Sequence, residues 1–306
     1  MKKVLFVGCV KVGHNIFEAL VAHPDILLET LTLTKKQAKE HKVSGFLDFQ
    51  PLCKKHGIPC YFPKSFNLKN QADLEFFKNN SYDLMIVGGW QRLIPAEVLK
   101  TISIAAIGIH GSGKKLPHGR GRSPVNWALI EGATQYYVHV FILDPDVDSG
   151  PIVDVMEFEI TPFDTCDTIY KKISVASKRI IEKNLGPLLN GNAQLISQKG
   201  EATFYPKRTP EDGKLDFNQK TEVIYNLIRA VTKPYPGAFC YINGKKLSIW
   251  RAIPFGKKLS FPSFRPGQIC EVFEDGAFVV KTQNDALLVM QYEPHCLVLQ
   301  RGAQLA

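Results

Sequence analysis

The first half of the chain alternates between short unbroken apolar runs and longer stretches with helical spacing. KVLFVG (3–8) is a run of the kind a strand buried on both faces requires. Polar residues follow, then NIFEALVAH with apolar positions at helical spacing. The alternation repeats: ILLETLTL predicts a strand, FLDFQPLCKKHG a helix, IPCYF a strand, DLEFFKNN a helix and YDLMIVGG another buried strand. IPAEVLKTI predicts a short helix opened by Pro95, and IAAIGIH a strand that ends on His110. Beyond a loop, SPVNWALIEG predicts a helix with Pro124 in its first turn and Gly132 past its end. YYVHVFIL then predicts a strand, and IYKKISVASKRIIEKNLGPLLNG a long helix stopped at Gly186–Pro187.

The pattern changes near residue 200. One helix, TEVIYNLIRAVT, precedes short strand-like segments: GAFCYI, KKLSIW, GQICEVF, GAFVVKT and ALLVMQY. Turn pairs separate them, such as Asn243–Gly244 and Asp275–Gly276. The expected fold class is therefore α/β: a mostly parallel Rossmann-like sheet covered on both faces, then a smaller C-terminal β-rich domain, barrel-like or a sandwich. The expected division is 1–200 and 201–306. Ligands of such parallel sheets collect at the carboxyl ends of the strands, and His110 occupies one.

Composition narrows the class. Apolar content of 45% and charged content of 22% are those of a soluble globular protein. A formal charge of +9 suits an anionic ligand (a nucleotide, a nucleic acid or a polyglutamate tail) as well as general solubility. Seven cysteines without CxxC spacing predict scattered buried thiols in a reducing compartment, not a disulfide frame or a zinc site. The start MKKVLFVGC leaves five residues between Lys3 and Cys9, too few for a signal sequence. No run approaches the ~18 apolar residues of a membrane span, so a cytoplasmic protein is expected.

His110 at a strand end offers a base, an acid, a donor to developing negative charge, a metal ligand, or a structural histidine satisfied by backbone. His118 and His139 complete no ligand pattern with it, so no metal is expected. The second constellation is LDPDVDSGPIV, which puts Asp144, Asp146 and Asp148 just past YYVHVFIL. One of these carboxylates beside the imidazole would fix its tautomer; a plain polar turn is the alternative. The twelfth-position glutamate of a calcium loop is missing. GCVKVGHN is not GxGxxG, and there is no Walker motif.

Taken together, HGS, LP, RGRSPVNWALIEG and DVDSG, with ATFYPKRTPEDGKLDF and IRAVTKPYPGAF downstream, resemble the formyltransferases that use 10-formyltetrahydrofolate. The resemblance spans nearly the whole chain. It implies attack of a substrate amine on the formyl carbon, with His110 stabilising the oxyanion and Asp148 orienting His110 and helping to move protons. It also implies a pterin pocket built from Trp90, Arg92, Leu93, Leu116, Arg120, Asp144 and the 142–148 segment. One position departs. The family has Asn-x-His, and here Gly108 stands two residues before His110. Three readings are open: His110 works with a water or backbone N–H, Asn126 reaches in, or the protein is a slow or inactive folate- or nucleotide-sugar-binding relative.

The resemblance is closest to the sugar N-formyltransferases, including the formyltransferase half of the bifunctional aminoarabinose–lipid A enzyme of lipopolysaccharide modification. It implies a nucleotide-diphosphate amino sugar as acceptor, on a thymidine or uridine carrier. Lys207, Arg208 and Arg229 are candidates for the diphosphate. Methionyl-tRNA formyltransferase is the alternative. Its tRNA-gripping insertion is rich in arginine, glycine and proline, and the corresponding TKKQAKEHKVSGFLDF is not, so nucleic acid is not the expected partner. A homodimer is expected if the C-terminal sheet leaves a pairing edge.

Overall fold

The structure, a computed structural model, describes residues 1–256 and 258–306. In chain order the first 205 residues form β1 (Lys2–Val7), α1 (His14–Val21), β2 (Ile26–Leu31), α2 (Lys35–Glu40), α3 (Gln50–His56), β3 (Cys60–Tyr61), α4 (Gln71–Asn79), β4 (Tyr82–Val87), α5 (Ala96–Leu99), β5 (Ile102–Ser112), β6 (Arg120–Gly121), α6 (Pro124–Ile130), β7 (Gln135–Ile142), β8 (Ile152–Glu159), α7 (Cys166–Leu189) and β9 (Phe204–Tyr205). The opening apolar run is β1, and Val4, Leu5, Phe6 and Val7 in it are wholly buried. The sheet runs β3-β2-β1-β4-β5-β7-β8. The first five strands are parallel, while β7 and β8 join antiparallel. The mostly parallel α/β sheet expected from the alternation is thus present.

Three elements differ from the sequence reading, each for a local reason. α2 forms because Thr34 and Gln37 make a capping box: the Thr34 side chain takes the Gln37 N–H, and Gln37 reaches back to the Thr34 N–H. β8 forms from VDVMEFE, whose apolar and polar positions alternate as an edge strand demands. α7 continues through Gly186 and Pro187 instead of stopping there. Leu188 and Leu189 in its last turn are buried, and that packing holds the turn despite the lost N–H of the proline.

Two compact units divide the chain. The first comprises residues 1–121, 135–159 and 170–205; the second comprises 122–134, 160–169 and 206–306. The second contains α8 (Thr221–Val231), β10 (Ala238–Ile242), β11 (Lys245–Pro254), β12 (Ile269–Val272), β13 (Phe278–Lys281) and β14 (Ala286–Glu293). These strands form one antiparallel sheet, ordered β10-β11-β14-β13-β12. Residues 303–306 then close it. Ala306 exchanges backbone hydrogen bonds with Tyr241 of β10, and Ile269 of β12 and Gly267 bond to Ala303 and Leu305. The result is the barrel-like closure anticipated from the short strands. It also removes the free edge from which a strand-paired homodimer was expected. All seven cysteines are free; Cys60 is partly accessible and Cys296 exposed, so not every thiol is buried as expected.

Candidate active site

β5 outruns its parallel neighbours. Val87 at the end of β4 pairs with Gly108, so β5 carries His110 two residues past the carboxyl end of the parallel strands. The antiparallel partner β7 continues alongside, and its exit loop returns at the same level, since Phe141 pairs with both Gly108 and Ile152. The loop therefore brings Asp148 onto His110. Nδ1 of His110 lies 3.2 Å from Oδ2 of Asp148. Asp148 holds a left-handed backbone (φ 50°), a conformation that aspartate adopts more readily than most residues. The same Oδ2 accepts the Gly121 N–H at 3.0 Å.

The other ring nitrogen also has a partner. Nε2 of His110 donates to the Gly119 carbonyl at 2.8 Å. Gly119 has a φ of 74°, and a side chain there would run into Ser112, so only glycine brings its carbonyl onto the ring. Both atoms facing the imidazole are acceptors, so the ring donates to both only with a proton on each nitrogen. A donation from Nε2 to an incoming oxygen competes with the Gly119 carbonyl, a partner the sequence did not disclose.

A further support comes from the segment after α7. Nε2 of Gln198 donates to the carbonyls of Asp148 (2.9 Å) and Gly150 (2.7 Å), and its Oε1 accepts from Arg120 at 2.6 Å. Thr203 accepts the Gly119 N–H at 2.9 Å, and β9 pairs with β6 beside it. Gln198 and Thr203 thus clamp both loops that meet at His110. Nothing in the local sequence around them signals this.

His139 pairs directly across from His110 on β7 and is 1% exposed. Its Nε2 accepts the Leu116 N–H at 3.3 Å, and its Nδ1 is buried without a partner. Burial first, then the charge of His110, pushes its pKa down to about 4. The folded value lies below the unfolded value near 6.5, so this stability is whole above about pH 6.5 and is lost as pH falls towards 4. We expect His139 to contribute a loss of about 3 kcal/mol across that window. Urea unfolding of the wild type and His139→Gln at pH 7 and pH 4.5 checks this; the wild type should show the steeper fall.

The other predicted residues divide. Trp90 packs edge-on against Phe66 in the core, and its Nε1 is buried without a partner. Arg92 lies over the Phe66 ring at 4.5 Å. Leu93 is 57% exposed, so core packing does not explain it. Leu116 is buried with Phe141 and Ile152. Arg120 bonds Gln198, and its Nε is buried without a partner. Asp144 accepts from the Ser149 hydroxyl and the Asp146 N–H, which makes it the organiser of its own turn. Above Gly108 stands Leu143: a Cβ at 108 would approach its Cδ2 to 2.5 Å.

In the second unit, Asn126 is buried and donates to the Ala230 carbonyl at 2.6 Å, so that part of its amide is already engaged. Arg229 is also buried; it bonds Asn226 and the carbonyls of Thr161 and Asp164, a structural set of contacts in place of the expected diphosphate contact. Arg208 stacks on Trp127 and donates to the Asp212 carbonyl, while Lys207 is exposed. Among the described residues no group of histidine, cysteine and carboxylate side chains could hold a metal, and no helix is long and apolar enough to cross a membrane.

Comparison with known proteins adds independent findings. The "Formyl transferase" family profile matches residues 30–185, and "Formyl transferase, C-terminal domain" matches residues 207–300. The bifunctional polymyxin resistance protein ArnA of Wigglesworthia glossinidia brevipalpis is 33% identical over 249 residues, covering 81% of this chain and 36% of that protein. This chain therefore spans about a third of that relative's length. An N-formyltransferase from Helicobacter canadensis, solved with folinic acid and dTDP-3-aminofucose, superposes with a TM-score of 0.67 at 16% identity, covering 95% of this chain and 99% of that one. HypX from Aquifex aeolicus, solved with tetrahydrofolic acid, gives 0.65 at 18% identity, covering 95% and 44%. At these identities the two structures establish a shared fold.

Proposed function

Because the chain belongs to the formyltransferase family, we propose that it moves the formyl group of 10-formyltetrahydrofolate onto the amine of an amino sugar carried on a nucleoside diphosphate. The observation that carries this reading is the pairing of buried His110 with the half-buried Asp148 just past the carboxyl ends of the parallel strands. The similarity to ArnA and the folinic acid and dTDP-3-aminofucose held by the Helicobacter structure support the donor and acceptor classes.

His110 holds the proton-transfer position, and its Nε2–H, released from the Gly119 carbonyl, is the donor for negative charge that develops on oxygen. Asp148 orients the ring and balances its charge. Residues of the first unit fit a flat heteroaromatic donor with polar edges: Trp90 and Arg120 each leave a buried N–H without a partner, and Leu93 offers exposed apolar surface. The folate supplies the formyl carbon. The seven free thiols suit a reducing, cytoplasmic setting.

The side-chain amide absent at Gly108 has been replaced by hydrocarbon, because Leu143 fills the space above it. Gly108→Asn alone should therefore lower stability by about 1–3 kcal/mol through overpacking, with no gain in rate. Gly108→Asn with Leu143→Ala should regain part of that stability. Thermal melts and kcat/KM of the single and double variants check both statements.

The deciding experiment mixes the protein with 10-formyltetrahydrofolate, a panel of nucleotide amino sugars and initiator methionyl-tRNA, and reads formylated product by mass. Product from one sugar nucleotide is the expected result. Product from the tRNA alone would move the protein to translation. No product despite folate uptake would leave a binding protein in which Leu143 has displaced the second donor.

A further inference from the structure

The segment after β2 borders an open, solvent-facing cavity of about 610 Å³, lined by Lys35, Ala38, Lys39, Lys42, Val43, Phe46, Leu47 and Asp48. Its size lies in the range of small-molecule sites. It also stands at the ligand edge of the sheet. Lys11 just beyond β1 donates its N–H to Gly45, Leu47 donates to Cys9, and Val10 bridges Phe46. The Gln91 side chain, past the end of β4, donates to Ser44. With the order β2-β1-β4-β5 and ~4.8 Å between strands, the cavity is roughly 10–14 Å along that edge from His110.

The lining has two parts. Ala38, Val43, Phe46 and Leu47 make an apolar floor, and three lysines make the rim. Lys35 is neutralised by Asp48 at 3.5 Å. Lys39 and Lys42 are exposed and have no acidic partner among the described residues. A flat ring joined through a short linker to two adjacent negative charges matches this arrangement: the face of the ring rests on the floor and the charges meet the two lysines. A polyglutamate tail would use the rim and leave the floor bare.

We propose that this cavity takes the nucleoside diphosphate of the acceptor, with Lys39 and Lys42 on the phosphates and the base over Val43 and Phe46. The proposal rests on the formyl-transfer reading above. It moves the diphosphate away from Arg208 and Arg229, whose guanidinium groups have internal partners.

The test uses UDP and dTDP as probes, with 5-formyltetrahydrofolate as the control ligand, in titration calorimetry on the full chain. Lys39→Glu combined with Lys42→Glu should weaken the preferred nucleotide at least about tenfold and leave folate binding unchanged. Lys36→Glu alters a neighbouring exposed lysine that does not line the cavity, and should change nucleotide affinity less than about threefold. The proposal is overturned by unchanged nucleotide affinity in the double variant, by an equal loss in Lys36→Glu, or by a loss confined to a triglutamyl folate. It is overturned as well if the wild type takes up folate but neither nucleotide. The mass-read transfer assay separates the two failures: a wild type that formylates a sugar nucleotide, with an unchanged KM in the double variant, rejects the cavity and keeps the activity.

Discussion

His110→Ala should lower kcat/KM by about 10³-fold or more while 5-formyltetrahydrofolate still binds and the melting temperature moves little. The size follows from two contributions lost together. A positioned general acid or base is worth about 10²–10⁴, and one donor to a developing oxyanion about 10²–10³. The fold should tolerate the change because Asp148, whose side chain is 20% accessible, keeps its bond from the Gly121 N–H. His110→Asn is the sharper control. Its amide can still donate, but it cannot accept or release a proton, so a variant that recovers activity would leave proton transfer without a role. Near-normal turnover in His110→Ala would remove the site assignment altogether.

Asp148→Asn should cost about 10²–10⁴ in kcat, the range expected when an imidazole loses the carboxylate that sets its protonation and orientation. Asparagine is the right replacement on backbone grounds, since it accepts the left-handed conformation at this position better than alanine does. Its amide oxygen can keep the Gly121 N–H, so the loop should hold and the lost charge alone is read. Because the two residues act as a unit, His110→Ala with Asp148→Asn should be little worse than His110→Ala alone. Single-turnover rates with saturating folate would measure this; additive losses would mean that the two side chains serve separate steps.

The alternation of apolar runs with helical spacing was enough for the parallel sheet, because strands buried on both faces leave an unbroken apolar signature. It was not enough for β8, which is half exposed at a sheet edge, nor for the last turn of α7, which tertiary burial holds against its own proline. At the site, a histidine at a strand end and a carboxylate loop after the next strand anticipated that one of Asp144, Asp146 and Asp148 would meet His110, and the family resemblance singled out Asp148. The Gly119 carbonyl, the Gln198 clamp and Leu143 above Gly108 could not. Two of those contacts are made by or to backbone atoms, and the third depends on a rotamer set by packing. Arg229 shows the converse error: a cation placed by charge as a ligand contact is a buried brace for loop carbonyls.

The clamp by Gln198 and Thr203 has a consequence for how the protein is made. The histidine leaves the ribosome roughly 95 residues before Tyr205 of the strand that pairs beside it. At ~5–20 residues per second, that is about 5–20 s of synthesis. During that interval β5 can pair with β4 and bury its apolar face, but the two loops around His110 lack the side chains that tie them together. The catalytic geometry is therefore a late product of translation, finished only when the stretch after the long helix folds back. A nascent chain halted at the end of α7 would hold most of the sheet and no working site.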